Sequence, residues 1–323
     1  MKALLIFCLC VGLLSAGFAF FPREEAAPVP EIAPVSQPEE TPQELFDAQL
    51  FLQVKDGAKV EKLSLGDYLV GVLLAEMSGD FPQEALKAQA VAARTFALKQ
   101  AQSDRHLQAH VCTDFACCQG WTSSENFSAS AVAAAKQAVE ETDGLVLSFE
   151  GRLIDATYFS CSGGQTEAAV AVWGREVPYL QSVESPGEEA APRYTETLCF
   201  SSKEFQKILL SAHPEANLSG SPEGWFGAES RSKGGGLDFV FIGGTPVKGT
   251  ELRSLFSLRS TQICISVKEG EISFTTYGYG HRVGMSQYGA KAMAEAGADF
   301  ESILLHYYSQ TQLRRLCSAQ NPV

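Results

Sequence analysis

Glu76 is an acid in apolar company: Val72, Leu73, Leu74 and Ala75 precede it and Met77 follows. A carboxylic acid that donates a proton near neutral pH must hold its proton more tightly than usual. An apolar wall achieves this by keeping water from the charged form, and Val72, Leu73, Leu74 and Met77 can form one. The ordinary alternative is a Glu at the solvent end of an amphipathic helix, and spacing alone favours it. Arg94 lies further on, inside an alanine-rich stripe. A guanidinium there must reach a carboxylate, a substrate oxygen or solvent. The third candidate is the loop His106-Leu-Gln-Ala-His110-Val-Cys112-Thr-Asp-Phe-Ala-Cys117-Cys118, in which His106, Cys112 and Cys118 recur at intervals of six. Three such ligands can hold Zn²⁺ with an open fourth position, as catalytic zinc sites do. His110 and Cys117 are alternative ligands, and the spacing is not that of a zinc finger. A disulfide among these cysteines competes with the metal. A Cys–His peptidase has less support, because no orienting third group is evident.

Two glycine-rich turns complete the set. Tyr158-Phe-Ser160-Cys-Ser162-Gly-Gly-Gln165 follows a strand. Gly278-Tyr-Gly-His281-Arg-Val-Gly-Met-Ser286-Gln287-Tyr288-Gly289 precedes a helix. Their Tyr, Ser, His and Gln side chains offer the aromatic faces and neutral hydrogen bonds that suit a sugar. They can equally be ordinary tight turns. Neither is a phosphate loop, since no Gly-Lys-Ser/Thr follows.

The elements that must position these residues can be read from periodicity. Leu50, Leu52 and Val54 share a face of a strand, Lys55-Asp56-Gly57 signals a hairpin, and Lys59–Leu63 is its partner. Ser64 and Asp67 cap a first helix carrying Glu76. Pro82 opens a second helix, which carries Arg94; its alanines predict a central position. Residues 101–127 read as a polar loop, Ser128–Glu140 as a helix, and Leu145–Phe149 and Leu153–Phe159 as strands. Residues 211–236, with two prolines and six glycines, read as an exposed insertion. Leu237–Ile242, Ile263–Val267 and Glu271–Thr276 read as strands, and Gln287–Glu295 and Phe300–Tyr308 as helices. Helices and strands do not alternate regularly, so the expected class is α+β.

The 323-residue chain is long enough for a substantial core. Its net charge of −13 argues against a nucleic-acid partner and against tight binding to an anionic membrane surface. The uncharged run Ala3–Phe21 is long for a signal-peptide core and just long enough to span a bilayer. An uncleaved anchor at 1–21 is preferred, with a cleaved signal peptide as the alternative. Residues 22–44, rich in Pro and Glu, read as a disordered, semi-extended spacer. The domain at 45–317 then lies outside the cytoplasm, and 318–323 is a tail. In an exported chain paired cysteines are usually disulfides. Cys112, Cys117, Cys118, Cys161, Cys199, Cys264 and Cys317 are odd in number, so at least one is free or metal-bound.

Together the segments Leu65–Met77, Phe81–Leu98, Ala156–Thr166, Val172–Gly174 with Pro178–Leu180, Gly249–Thr261, Gly278–Gly289 and His306–Tyr308 resemble the stage II sporulation protein D family, related to amidase enhancers of the LytB type. The resemblance spans roughly residues 48–317 in order. It implies a lytic transglycosylase acting on peptidoglycan glycan strands that have lost their stem peptides. The unit would be a single catalytic one, which can take the form of two lobes around a glycan groove. Glu76 falls where the family has its catalytic acid, and Arg94 where it has an important Arg. With the side chains of the two glycine-rich turns, the expected substrate contacts are Arg94, Tyr158, Ser160, Ser162, Gln165, His281, Ser286, Gln287 and Tyr288. The resemblance favours Zn²⁺ on His106, Cys112 and Cys118 over a disulfide. The expected partners are glycan strands, an amidase/endopeptidase and a membrane scaffold, in the space between mother cell and forespore. A non-catalytic glycan-binding enhancer is the alternative, and a zinc peptidase or amidase ranks below both. One departure stands out: the family commonly has Gly-His-Gly-Val-Gly-Met, whereas Arg282 occupies the middle glycine here. If that glycine needs positive φ, the turn must be built differently.

Overall fold

The computed structural model describes residues 43–77 and 79–317. The expected anchor at 1–21, nearly all of the 22–44 spacer and the 318–323 tail lie outside the described residues. Among the described residues, no helix is long and apolar enough to cross a membrane. Eight α-helices are present there: α1 (Leu65–Glu76), α2 (Gln83–Ala101), α3 (Ala129–Glu141), α4 (Ala169–Trp173), α5 (Ser202–Ala212), α6 (Gly249–Leu255), α7 (Gln287–Glu295) and α8 (Phe300–Tyr307). With several small sheets they make an α+β fold.

The first hairpin forms as the alternation of apolar residues predicts. Phe51–Asp56 pairs antiparallel with Lys59–Ser64, and Leu52 and Val54 turn inward. The Ser64 hydroxyl then accepts the Asp67 N–H at 3.1 Å and caps α1. The small side chains of α2 place it at the centre. Ala88, Ala90, Ala92, Ala93 and Ala97 are all fully buried, and α2 packs on α1, α3, α7 and α8. Beside it lies the sheet Gln312–Arg315, Leu145–Phe149, Arg152–Leu153. The Thr95 hydroxyl of α2 accepts the Leu147 N–H of that sheet at 2.9 Å.

Two expectations are corrected. The run 153–159 is not one strand. It leaves its sheet after Leu153, and Tyr158–Phe159 instead pairs in parallel with Met285–Ser286. That pairing brings the two glycine-rich turns side by side. Residues 211–236 are not wholly an exposed insertion either. They contribute the strand Phe226–Arg231, buried Leu218 and buried Trp225 to a second apolar cluster. Phe205 of α5 stacks there on Trp225 at 5.9 Å and on Phe256 at 5.1 Å. This cluster lies among the antiparallel sheets Gln262–Lys268, Glu271–Tyr277, Thr195–Ser201 and Thr245–Lys248, Leu237–Ile242, Phe226–Arg231. Aromatic bulk explains why so glycine-rich a segment folds: burying a Phe or Trp supplies far more transfer free energy than the turn residues forgo. Both clusters belong to one compact unit.

Candidate active site

Glu76 closes α1 on the wall of a groove of about 1010 Å³. Met77 turns extended directly after it, so α1 ends with the carboxylate facing the groove rather than its own helix. Glu76 Oε1 accepts the Gly120 N–H at 2.8 Å, and Oε2 accepts from Gln287 Nε2 at 3.3 Å. Gly120 leaves room for this contact: a Cβ there would lie 2.9 Å from Oε1 and would press on the carboxylate. Burial raises the pKa of Glu76, with the hydrogen bonds from Gly120 and Gln287 pulling the other way. The side chain therefore keeps its proton to higher pH than a surface Glu does. Among the described residues that line the groove, Glu76 is the only carboxylate.

The polar groups around the acid are neutral. The Tyr158 hydroxyl donates to Gln119 Oε1 at 2.8 Å, while Gln119 Nε2 donates to the Tyr68 hydroxyl at 3.2 Å. Burial holds the Tyr158 phenol protonated, well above its usual pKa. His281 is driven down to about 4, chiefly by burial and then by the nearby Arg253 cation. Its Nδ1 accepts the Val283 N–H at 3.1 Å, which assigns the proton of the neutral ring to Nε2. The ring sits 5.6 Å from both Phe159 and Trp173. Ser160 and Tyr288 line the same groove, joined by Tyr288 N–H to Ser160 carbonyl at 3.0 Å. Tyr158, Ser160, His281, Gln287 and Tyr288 thus line one groove with Glu76.

Four expected contacts are elsewhere. Arg94 is fully buried in the core, clamped on Asp47 by Nε to Oδ1 at 2.8 Å and a second nitrogen to Oδ2 at 2.6 Å. It also donates to the Val139 and Leu145 carbonyls. Arg94 therefore acts as a strut between α2, α3 and the chain before the hairpin, and its burial removes it from substrate. Ser162 and Ser286 are buried too, and their hydroxyls both donate to Glu188. The Glu188 carboxylate also accepts backbone N–H groups of Ser162 and Gly163, so it knits the first glycine turn to the start of α7. Gln165 bonds Ser182 at 3.1 Å, away from the groove. Groove residues that the sequence does not single out include Gln119, Gly120, Trp121, Arg193 and Arg253. The first three follow the cysteine loop directly, and the two arginines carry no local signal.

The cysteine loop stands directly beside this segment. The ligand atoms of His106, Cys112, Cys117 and Cys118 all lie within 4.8 Å of one another, and the cysteines are free thiols. His106 Nε2 is 3.1 Å from Cys118 Sγ and 3.7 Å from Cys117 Sγ. Cys112 is fixed by the strand Val111–Cys112, which pairs in parallel with Phe51–Asp56. The Asp114 carbonyl accepts the N–H groups of Cys117 and Cys118 and turns them back towards it. A tetrahedral zinc with Zn–S near 2.3 Å and Zn–N near 2.0–2.1 Å has edges of roughly 3.5–3.8 Å, so donor atoms no more than 4.8 Å apart could close on one ion with small adjustments. Cys117 clusters with the three candidate ligands, while His110 does not: its Nδ1 accepts the Gln53 N–H at 3.1 Å.

Arg282 occupies the position of the common glycine at φ +66, so the left-handed turn persists with a bulky residue. Its fully buried guanidinium bonds the carbonyls of Ser162, Gln165 and Gly234 and the Glu167 carboxylate. These contacts offset the strain of an L-residue in that region. Gly284 two residues on is under a stricter constraint, since a Cβ would lie 2.1 Å from the Thr157 carbonyl oxygen.

Comparison with known proteins finds clear relatives. Residues 54–149 match the SpoIID family, described as stage II sporulation protein. The chain is 37% identical over 259 residues to stage II sporulation protein D of Bacillus amyloliquefaciens, covering 77% of this chain and 74% of that protein. It is 34% identical over 264 residues to stage II sporulation protein D of Bacillus subtilis (strain 168), covering 79% and 75%. It is also 29% identical over 298 residues to an amidase enhancer of Bacillus subtilis (strain 168), covering 76% of this chain and 40% of that protein. With identities of 34–37% over most of both chains, this chain belongs to the stage II sporulation protein D family.

Proposed function

We propose that this chain is a lytic transglycosylase that cleaves peptidoglycan glycan strands between N-acetylmuramic acid and N-acetylglucosamine. The observation that carries this reading is that the groove, lined by aromatic and neutral polar side chains and two arginines, offers a single carboxylate among the described residues. Most glycoside hydrolases need two carboxylates, one for the leaving group and one for water or the sugar carbon. With one acid, the nucleophile is best supplied by the substrate. Glu76 protonates the glycosidic oxygen as the bond to C1 of the muramic residue breaks. The cationic C1 is stabilised by the substrate's own acetamido group. Glu76, now a carboxylate held by Gly120 and Gln287, takes the proton of the C6 hydroxyl. That oxygen bonds to C1 and leaves a 1,6-anhydro end, restoring the acid. Proton transfer of this kind contributes about 10²–10⁴-fold. Glu76→Gln is therefore expected to lower release of anhydro-muramic ends from denuded strands by at least the lower figure, read by mass analysis. Undiminished release would refute the assignment.

The relative named amidase enhancer supports a second reading, in which the groove binds glycan without turnover. Under it the wild-type protein binds denuded strands and yields no anhydro ends. The proposed setting is extracytoplasmic and anchored by residues 1–21, with an amidase/endopeptidase and a membrane scaffold as partners during engulfment. Zn²⁺ is proposed on His106, Cys112, Cys117 and Cys118. When bound by four protein ligands it supplies structural closure rather than an open Lewis-acid position. Its ligand Cys118 lies two residues before Gly120, so the loop it closes carries the N–H that holds Glu76.

A further inference from the structure

We infer that the groove carries a carboxylate subsite on its Arg193–Tyr279–Arg253 wall, and that this subsite takes the free lactyl carboxylate of a muramic residue bearing no peptide. The inference rests on the glycan reading above and adds how such strands are selected. Arg193, Arg253 and Tyr279 line the same groove as Glu76. The guanidinium carbons of Arg193 and Arg259 lie 5.6 and 5.8 Å from the Tyr279 ring centre. Arg259 is neutralised by Glu196 at 2.7 Å. Arg193 and Arg253 have no carboxylate partner among the described residues. The one acid in the groove is Glu76, whose burial favours its neutral form, and His281 beside Arg253 is neutral at ordinary pH. Two cations thus face a groove that supplies no anion of its own.

Neither cation sits on a loose segment. Arg193 lies in a turn closed by Ala191 N–H to the Glu188 carbonyl at 2.8 Å and by Tyr194 N–H to the Ala191 carbonyl at 3.0 Å. The Glu188 side chain is the buried carboxylate that joins the first glycine turn to α7. Arg253 is half-buried on α6, beside fully buried Leu252. Guanidinium groups bind carboxylates through paired N–H donors, a geometry a lone ammonium lacks. Such a site also answers a long-range problem, because a chain of net charge −13 repels an anionic polymer unless its groove reverses the sign locally. In a muramic residue the lactyl ether places its carboxylate a few bonds from the ring seated in the groove. When a stem peptide is attached, that group becomes a neutral amide followed by bulk.

Equilibrium binding to the full chain carrying Glu76→Gln tests this without turnover. The probes are denuded strands, the same strands with the lactyl carboxylate converted to a primary amide, peptide-bearing strands and chitotetraose. Denuded strands are expected to bind roughly tenfold more tightly than amidated ones, the scale of one charge-assisted pair. Added Arg193→Gln or Arg253→Gln should shrink that preference, and only the denuded probe should weaken with salt. Equal affinity for denuded and amidated strands overturns the subsite, and so does a preference for peptide-bearing strands, which would move it to peptide carboxylates. The probe comparison needs no arginine variant, and Arg193 is exposed, so misfolding cannot mimic the result. Wild-type turnover is scored separately. A charge preference without anhydro product leaves the subsite standing and removes the transglycosylase reading; product without the preference does the reverse.

Discussion

At the scale of the residue, the acid is made by partners that the sequence places far away. Gly120 and Gln287 are 44 and 211 positions from Glu76 in the chain, so no local spacing shows that its carboxylate is enclosed. What was legible was the apolar company before it and the resemblance of its segment. Gln287 donates to the carboxylate and so favours the charged form. Gln287→Leu removes that donor at similar volume, and the Glu76 pKa should rise further. The rate depends on the protonated acid, so the alkaline limb of the pH–rate profile is expected to move to higher pH while the maximum falls. An alkaline limb that stays put or moves down would show that Gln287 does not tune the acid. Arg94 shows the opposite error. An Arg in an alanine stripe demanded a partner, and the sequence could not say that Asp47 would be buried beside it. Removing one member of a buried pair leaves the other uncompensated and costs about 3–5 kcal/mol. Arg94→Met should therefore lower the melting temperature markedly, yet leave the KM of the folded fraction unchanged. A raised KM at undiminished stability would return Arg94 to the substrate.

At the scale of the element, the long helices and the outer strands could be read because each buries a regular face. Gln287–Glu295 was delimited from sequence at both ends, and α3 differs by one residue at each. The failures fell where pairing is not local. Tyr158–Phe159 abandons its own hairpin for Met285–Ser286, and only that choice aligns the two glycine turns on one groove. The loop at 106–118 has no hydrophobic period at all; its shape comes from Asp114 turns, one parallel bridge and four clustered ligand atoms. That architecture makes a prediction about metal. Protein purified without chelator should carry one zinc per chain, and its removal should lower the melting temperature and expose Cys112, Cys117 and Cys118 to thiol reagents. Cys117→Ser should weaken zinc retention without abolishing it, since three ligands remain. Absence of bound metal together with unreactive thiols would point to a disulfide in solution and sink the zinc assignment.

At the scale of the whole molecule, the two apolar clusters share a polar joint. Arg282 follows the groove residue His281, and its guanidinium reaches Ser162 and Gln165 on one side and Gly234 on the other. Gly234 leads into the strand Leu237–Ile242 of the second cluster, whose neighbour α6 carries Arg253. Glu167 completes the joint, accepting from Arg282, from the Ser232 hydroxyl and from the Gly236 N–H. The sequence showed only that a cation had replaced a glycine, because every group it binds is distant in the chain. Arg282→Gly restores the common family residue and relieves a left-handed strain of roughly 1–2 kcal/mol. It also strips Glu167 of its cation and three carbonyls of a donor, and breaking such a buried pair costs about 3–5 kcal/mol. The net expectation is a less stable protein, with amide exchange accelerated first around residues 232–240. Pairing the change with Glu167→Gln should recover part of the loss, since the orphaned charge is then gone. If Arg282→Gly melts at or above the wild-type temperature, the joint is dispensable and the second cluster must be held to the groove by its apolar contacts alone.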